Sequence, residues 1–195
     1  MQTTELANQF MYWADVNALV QEVIPASQFT GANAAVVIGV QTGMLGITAE
    51  SNALEIGSGS GRYALQVASA TGCRIVGVDV NDPGVQNANQ LAASQNLAER
   101  VLFEKCDASQ PLRYGEATFD AVFSNDVLCH IPGRDKLLRG LFRVLKPGGR
   151  LLFSDALVIG GVISHQEIAA RSSIGYFLFS PPGENERTLH GYATF

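Results

Sequence analysis

Beyond Glu50 the apolar positions of the chain fall into two alternating periods. Leu54 to Ile56 is a short apolar run around Glu55, and Tyr63 to Ala70 then sets Ala64, Val67 and Ala68 at helical spacing. A strand is therefore followed by a helix. Arg74 to Val80 is a β-branched run, and the segment opened by Pro83 and ending at Ser94 repeats Val85, Ala88, Leu91 and Ala92 with helical periodicity. Val101 to Asp107 and Phe119 to Ser124 read as two more strands. Asp135 to Leu145 carries Leu138, Leu141, Phe142 and Leu145 on one face; Lys146 to Gly149 reads as a turn ending that helix, and Arg150 to Ser154 as a fifth strand.

Strands separated in this way by helical segments predict an α/β fold, a mainly parallel sheet with helices on both faces and right-handed crossovers. Such sheets bind ligands at the carboxyl ends of their strands, near the point where strand order reverses. Gly57 to Gly61, Asp79, Asp107 and the pair Asn125 and Asp126 all stand at such ends. The uncharged stretch before Glu50 is the one candidate boundary, which makes residues 1–50 an N-terminal helical cap on the core.

Composition narrows the functional classes. A chain of 195 residues with 47% hydrophobic and 16% charged residues suffices for a core that folds without disulfide or metal staples. Its net charge is -5 and its lysines and arginines are scattered, so it lacks the electrostatic footprint of a nucleic-acid binder. Cys73, Cys106 and Cys129 form no CxxC pair and suggest neither a disulfide framework nor a zinc site, which fits a cytoplasmic setting. The N-terminus shows no basic region followed by an apolar one, as a secretory signal would. Val23 to Ala49 lacks charge, but polar residues and four glycines interrupt it, so no membrane span is expected there.

The densest chemistry is the stretch Ala53-Leu-Glu-Ile-Gly-Ser-Gly-Ser-Gly-Arg62. Glycines in that number let backbone N–H groups approach a ligand closely. A dinucleotide fingerprint places its third glycine where Arg62 stands here, so the pattern is Glu-x-Gly-x-Gly-x-Gly instead. This pattern resembles the first motif of class I S-adenosylmethionine-dependent methyltransferases. The resemblance continues through Asp79, through Cys106-Asp107-Ala108, through Phe119 to Val122, and through Leu145-Lys-Pro-Gly-Gly-Arg-Leu-Leu-Phe-Ser-Asp155. It implies a Rossmann-like three-layer sandwich whose S-adenosylmethionine-binding core spans residues 51–157, with residues 158–195 as a segment that covers the substrate.

By that resemblance, loop amides at Gly57, Ser58, Gly59 and Gly61 and the start of the following helix receive the methionine carboxylate, as the helix dipole favours. Asp79 takes the ribose hydroxyls beside Val80. Asp107 takes the adenine amino group, with the Ala108 N–H on the ring, and Asn125 completes the set. Glu55 either braces loop amides or touches the ligand. Each residue also has a plain structural reading: tight turns for the glycines, a cap for Asp107.

Methyl transfer from a sulfonium is an in-line displacement that asks the protein to align the groups and exclude water. A base helps where the nucleophile is a protonated amine or a hydroxyl. Ser124 to Ile131 contains Ser-x-Asp-x-x-x-His, similar to an element of phosphoethanolamine and glycine-type N-methyltransferases. The resemblance makes His130 the base, Tyr12 its N-terminal partner and Asp126 a substrate-orienting group; otherwise His130 is packing and Asp126 a loop cap. Flanking stretches, including Ser27 to Gly31 and Ile168 to Phe177, resemble small-molecule methyltransferases of the type 11 group and suggest Arg171, Tyr176 and Phe177 as substrate walls.

The expected activity is methylation of a small-molecule nitrogen or oxygen. The alternatives are a catalytically silent relative that keeps the cofactor and, more remotely, an NAD(P)-dependent oxidoreductase. Family members usually continue through a further two-stranded hairpin beside the fifth strand, whereas this chain ends at Phe195. An uncovered edge there implies reduced stability or a homodimer.

Overall fold

The computed structural model describes residues 41–154, 164–166 and 183–190. Five strands form one sheet: β1 (Asn52–Ile56), β2 (Arg74–Asp79), β3 (Val101–Lys105), β4 (Phe119–Asn125) and β5 (Leu145–Ser154). Their order is β3-β2-β1-β4-β5 and every pairing is parallel. Strand order therefore reverses between β1 and β4, and the carboxyl ends of those two strands open the crevice that an α/β sheet offers to ligands.

The helices are α1 (Arg62–Thr71), α2 (Asp82–Ser94), α3 (Arg134–Val144) and α4 (Glu184–His190). Ala64, Leu65, Val67 and Ala68 of α1 and Val85, Ala88 and Ala92 of α2 pack with Ala53, Ile75, Ala121 and Phe123 on one face of the sheet. Leu137, Leu138, Leu141 and Val144 of α3 pack with Leu54, Ile56, Val78 and Val122 on the other. The expected three layers are present. Strands buried on both faces read as mostly apolar runs, which is why β1 and β4 were legible as strands without regular polar alternation. Each buried Val, Leu, Ile or Phe side chain among them contributes about 1.5–3 kcal/mol by leaving water, and each Ala less.

The helix ends follow local chemistry. Asn81 precedes α2 and its side chain accepts the Gly84 N–H at 3.4 Å, with Asp82 and Pro83 in the first turn. The N-cap of α1 is Gly61, which offers no side chain to the first-turn N–H groups.

One boundary differs from the sequence reading. Lys146 to Gly149 is not a turn ahead of a strand at Arg150 but a wide bulge inside β5, which begins at Leu145. Phe119 pairs with Leu145 and Ala121 with Arg150, so four residues of β5 are looped out opposite Asp120. Lys146 Nζ donates to Asp120 Oδ1 at 2.8 Å and anchors the bulge. Gly149 is required because a Cβ would lie 2.9 Å from the Lys146 carbonyl oxygen and 3.0 Å from that of Asp120.

Candidate active site

The β1–α1 loop is pinned to its neighbours before any ligand is considered. The Gly57 and Ser58 N–H groups both donate to the Val78 carbonyl, at 2.8 and 3.0 Å, and Gly61 N–H closes a turn on Ser58. Gly57 has φ 74°, and a Cβ there would collide with the Val127 methyls on the loop after β4. A Cβ at Gly61 would lie 2.6 Å from the Phe103 ring and 2.7 Å from Ala88, so this glycine serves the packing of α1 on the sheet. Among the described residues nothing lies within 4 Å of the Cβ position at Gly59.

Asp79 ends β2 and binds the loop from the side. Its Oδ2 accepts the Gly59 N–H at 2.7 Å and its Oδ1 accepts the Asn81 N–H at 2.9 Å. A carboxylate has about four acceptor sites, so two remain for a ligand diol. Asp107 Oδ1 accepts the Ser109 N–H at 2.9 Å in a turn, and hydrogen bonding by the Ser109 side chain first, then by its N–H, holds the carboxyl below the usual range.

A cavity of about 150 Å³ opens beside the loop. The structure brings six of the expected residues to its wall: Gly57, Asp79, Val80, Asp107, Ala108 and His130. Val80 is 62% exposed at the rim, an isolated apolar surface placed where a flat ring can lie on it. His130 is held in a short 3-10 turn, Leu128–His130, whose backbone N–H donates to the Val127 carbonyl at 2.8 Å. Ile56, Val78, Cys106, Ser109, Val127, Ile131 and Pro132 complete the wall and were missed by a reading that followed polar motif positions. Ile131-Pro132 directly follows His130, so adjacency was the available signal. Burial pushes the Cys106 thiol up, which disfavours a thiolate nucleophile there.

Asp126 stands elsewhere. It has φ 53°, donates its N–H to Ser154 Oγ at 2.8 Å, and accepts the Ser154 hydroxyl on Oδ1 at 3.0 Å. This reciprocal pair ties the end of β4 to the end of β5, outside the cavity wall. Tyr12, Arg171, Tyr176 and Phe177 lie outside the described residues.

Beneath the loop, Glu55 is 3% exposed on the α1 face of β1. The Ala64 N–H in the first turn of α1 favours its charged form, but burial outweighs this and the nearby Asp79 charge adds to it, so the carboxyl is pushed up to about 8. Tyr63, beside both Glu55 and Asn125, is pushed up chiefly by burial. Three buried polar atoms around the loop lack hydrogen-bond partners: Glu55 Oε2, Ser58 Oγ and Asn125 Nδ2. None of these three residues is on the cavity wall; unmet acceptors and an unmet donor suit a ligand end that carries both a cation and an anion.

Residues 47–173 match the family model for a methyltransferase domain. The chain belongs to this family. It is 34% identical over 148 residues to the 27-O-demethylrifamycin SV methyltransferase of Amycolatopsis mediterranei (strain S699), covering 76% of this chain and 50% of that one. An S-adenosyl-L-methionine-dependent Diels-Alderase, iccD, of Talaromyces variabilis is 39% identical over 109 residues, 55% of this chain and 37% of that one. Among solved structures, phosphoethanolamine N-methyltransferase 2 of Haemonchus contortus, in complex with phosphomonomethylethanolamine and S-adenosylhomocysteine, superposes with TM-score 0.72 at 27% identity. It covers 92% of this chain and 42% of that one. The methyltransferase chain thus spans half, or less, of the length of these relatives.

S-adenosylmethionine is the cofactor of this family, and the residues present fit it. The unpartnered atoms at Glu55, Ser58 and Asn125 match an amino-acid end, and the two carboxyls flanking an apolar cavity match a nucleoside. No described helix is long and apolar enough to cross a membrane.

Proposed function

We propose that the chain carries the cofactor-binding core of an S-adenosylmethionine-dependent methyltransferase acting on a small-molecule nitrogen or oxygen nucleophile. The observation that carries this reading is the convergence of Asp79, Asp107 and His130 on one cavity that the glycine loop borders. When bound, S-adenosylmethionine supplies an electrophilic methyl group on a sulfonium. Asp79 accepts from the ribose hydroxyls with the acceptor sites left over from Gly59 and Asn81. Asp107 accepts from the adenine amino group, and Val80 and Ala108 give the ring its apolar surfaces. The expected loop amides are already engaged, Gly57 and Ser58 on the Val78 carbonyl, Gly59 on Asp79 and Gly61 on Ser58, so the first turn of α1 is left to draw the carboxylate through the helix dipole.

His130 takes the acceptor's proton on an imidazole nitrogen as the nucleophile attacks. Tyr12 is proposed as its partner on the sequence resemblance alone. The relative solved with phosphomonomethylethanolamine supports an amine acceptor, and the rifamycin relative supports an oxygen one. Asp126 positions the β4 loop through Ser154 in this reading.

The Diels-Alderase relative motivates a second reading, in which the cofactor is held but not consumed while a substrate cyclises. Conversion of S-adenosylmethionine to S-adenosylhomocysteine over a panel of small amines and phenols separates the two. Turnover that His130→Ala slows by a factor of about 10²–10⁴, with S-adenosylhomocysteine affinity retained, supports the first. Tight cofactor binding with no product from any acceptor sinks it in favour of the second.

A further inference from the structure

A second cavity, of about 210 Å³, shares Ala108 and Ser109 with the first and otherwise runs between the loop after β3 and α3. Lys136, Arg139 and Arg143 stand on its α3 wall, and no carboxylate is on its lining. In a chain with 18 acidic and 13 basic residues, three cations and no acid around one small cavity run against the composition. Their spacing of i, i+3 and i+7 sets them along one stripe of the helix, a row of ~10 Å at the helical rise per residue. The three differ in how far they are already engaged. Arg143 donates from both η nitrogens, at 2.8 Å, to the Tyr114 and Leu112 carbonyls, which ties the loop to α3 without cancelling its charge. Arg139 Nε pairs with Asp135 Oδ2 at 2.9 Å, but the two side chains are 62% and 68% exposed, and such a pair is weak in water and exchanges readily. Lys136 is exposed and makes no ion pair among the described residues. Asp107 feels its charge but is already held by Ser109.

We propose that this groove is a second ligand site, for a small molecule carrying a diphosphate, separate from the cavity where Asp79, Asp107 and His130 meet. Lys136 and Arg139 donate to the phosphoryl oxygens, the guanidinium offering a planar fork and the ammonium a point charge. Arg143 adds its field from the far end of the row, and Pro111, Leu112 and Leu137 give the organic part an apolar surface. A row of ~10 Å is longer than one phosphate can span, which favours two linked phosphoryl groups. A cavity of about 210 Å³ is smaller than the pockets that enclose whole drug-sized molecules, so the anionic end is what it holds. The site depends on the fold of α3 and its loop alone and does not rest on the methyltransferase reading.

The test is calorimetric titration of the full chain with inorganic pyrophosphate, with phosphate and sulfate as shorter anions, at low salt. We expect one saturable site for pyrophosphate with a dissociation constant below about 1 mM, at least tenfold weaker binding of phosphate and sulfate, and affinity that falls as salt is added. Lys136→Glu should weaken pyrophosphate binding at least tenfold. Lys105→Gln, which removes an exposed cation outside the groove, should leave it unchanged. The same titration repeated with saturating S-adenosylhomocysteine should still show the site, because the two cavities meet only at Ala108 and Ser109.

Lys136 is exposed, so its replacement is expected to leave the fold intact, and a thermal melt checks this; were the variant unfolded, the comparison of anions and the competition arm on the unaltered chain would still decide. No saturable pyrophosphate binding overturns the proposal, as does binding equal for all three anions or binding that Lys136→Glu leaves unchanged. Displacement by S-adenosylhomocysteine would put the anion in the first cavity and overturn it too. So would binding of a hexaglutamate peptide without binding of pyrophosphate, which would make the groove a protein contact. Each of these outcomes leaves the cofactor reading standing, and failure of S-adenosylhomocysteine to bind leaves the pyrophosphate titration decisive for this site.

Discussion

At the residue scale, Gly57 shows how a backbone position and a side chain elsewhere specify each other. The left-handed φ of 74° alone disfavours a Cβ, and the Val127 methyls occupy the place it would take. Gly57→Ala should therefore destabilise the chain by about 1–2 kcal/mol for the backbone and about 1–3 kcal/mol for overpacking. Adding Val127→Ala should recover the second part and not the first. Denaturant melts of the two single variants and the double variant measure the coupling; additive losses would show that the contact is not what demands glycine. The identity of Gly57 as a special position was legible from its spacing in the loop. Its partner was not, because Val127 reads as an ordinary apolar residue seventy positions away.

At the element scale, the site is built where strand ends and two loops are tied together, and Asp79 is the tie that is also proposed to contact ligand. It holds the β1–α1 loop through Gly59 and the β2–α2 loop through Asn81. Asp79→Ala removes these supports and the ribose contacts at once. The expected outcome is loss of S-adenosylhomocysteine affinity by a hundredfold or more, from two charge-assisted bonds of ~1.5–3 kcal/mol each, together with a lower melting temperature. Titration calorimetry and a thermal melt on one sample separate the parts; unchanged affinity would remove Asp79 from the ligand. The ends of β1 and β2 were legible because their apolar runs stop at a glycine or an acid, at Ile56-Gly57 and Val78-Asp79. The start of β5 was not, since Lys-Pro-Gly-Gly is equally a turn and a bulge until the Asp120 contact fixes it. Asp126 likewise reads as catalytic by motif, and its bonds to Ser154 exist only once β4 and β5 lie side by side.

At the scale of the whole molecule, the sheet carries one hydrophobic cluster on each face, and Glu55 interrupts the face that α1 and α2 cover. A carboxyl in an apolar strand is a visible conflict in the sequence; the structure turns it into a dependence of stability on pH. The folded ligand-free chain holds the Glu55 proton up to about pH 8, whereas the unfolded chain releases it above about 4.5. The stabilisation is thus complete below pH 4.5 and is lost as pH rises through 8. Asp120 and Asp107 act in the other sense and at lower pH. Against the opposing pull of burial, the Asn52 N–H and Lys146 keep Asp120 low, and Ser109 keeps Asp107 low, so both are ionised in either state above pH 5. Between pH 5 and 8 the melting temperature of the ligand-free chain should fall by an amount on the order of 10 °C. Glu55→Gln should flatten the ligand-free curve. A slope of the same size in that variant would assign the pH dependence to other groups and leave Glu55 ionised throughout.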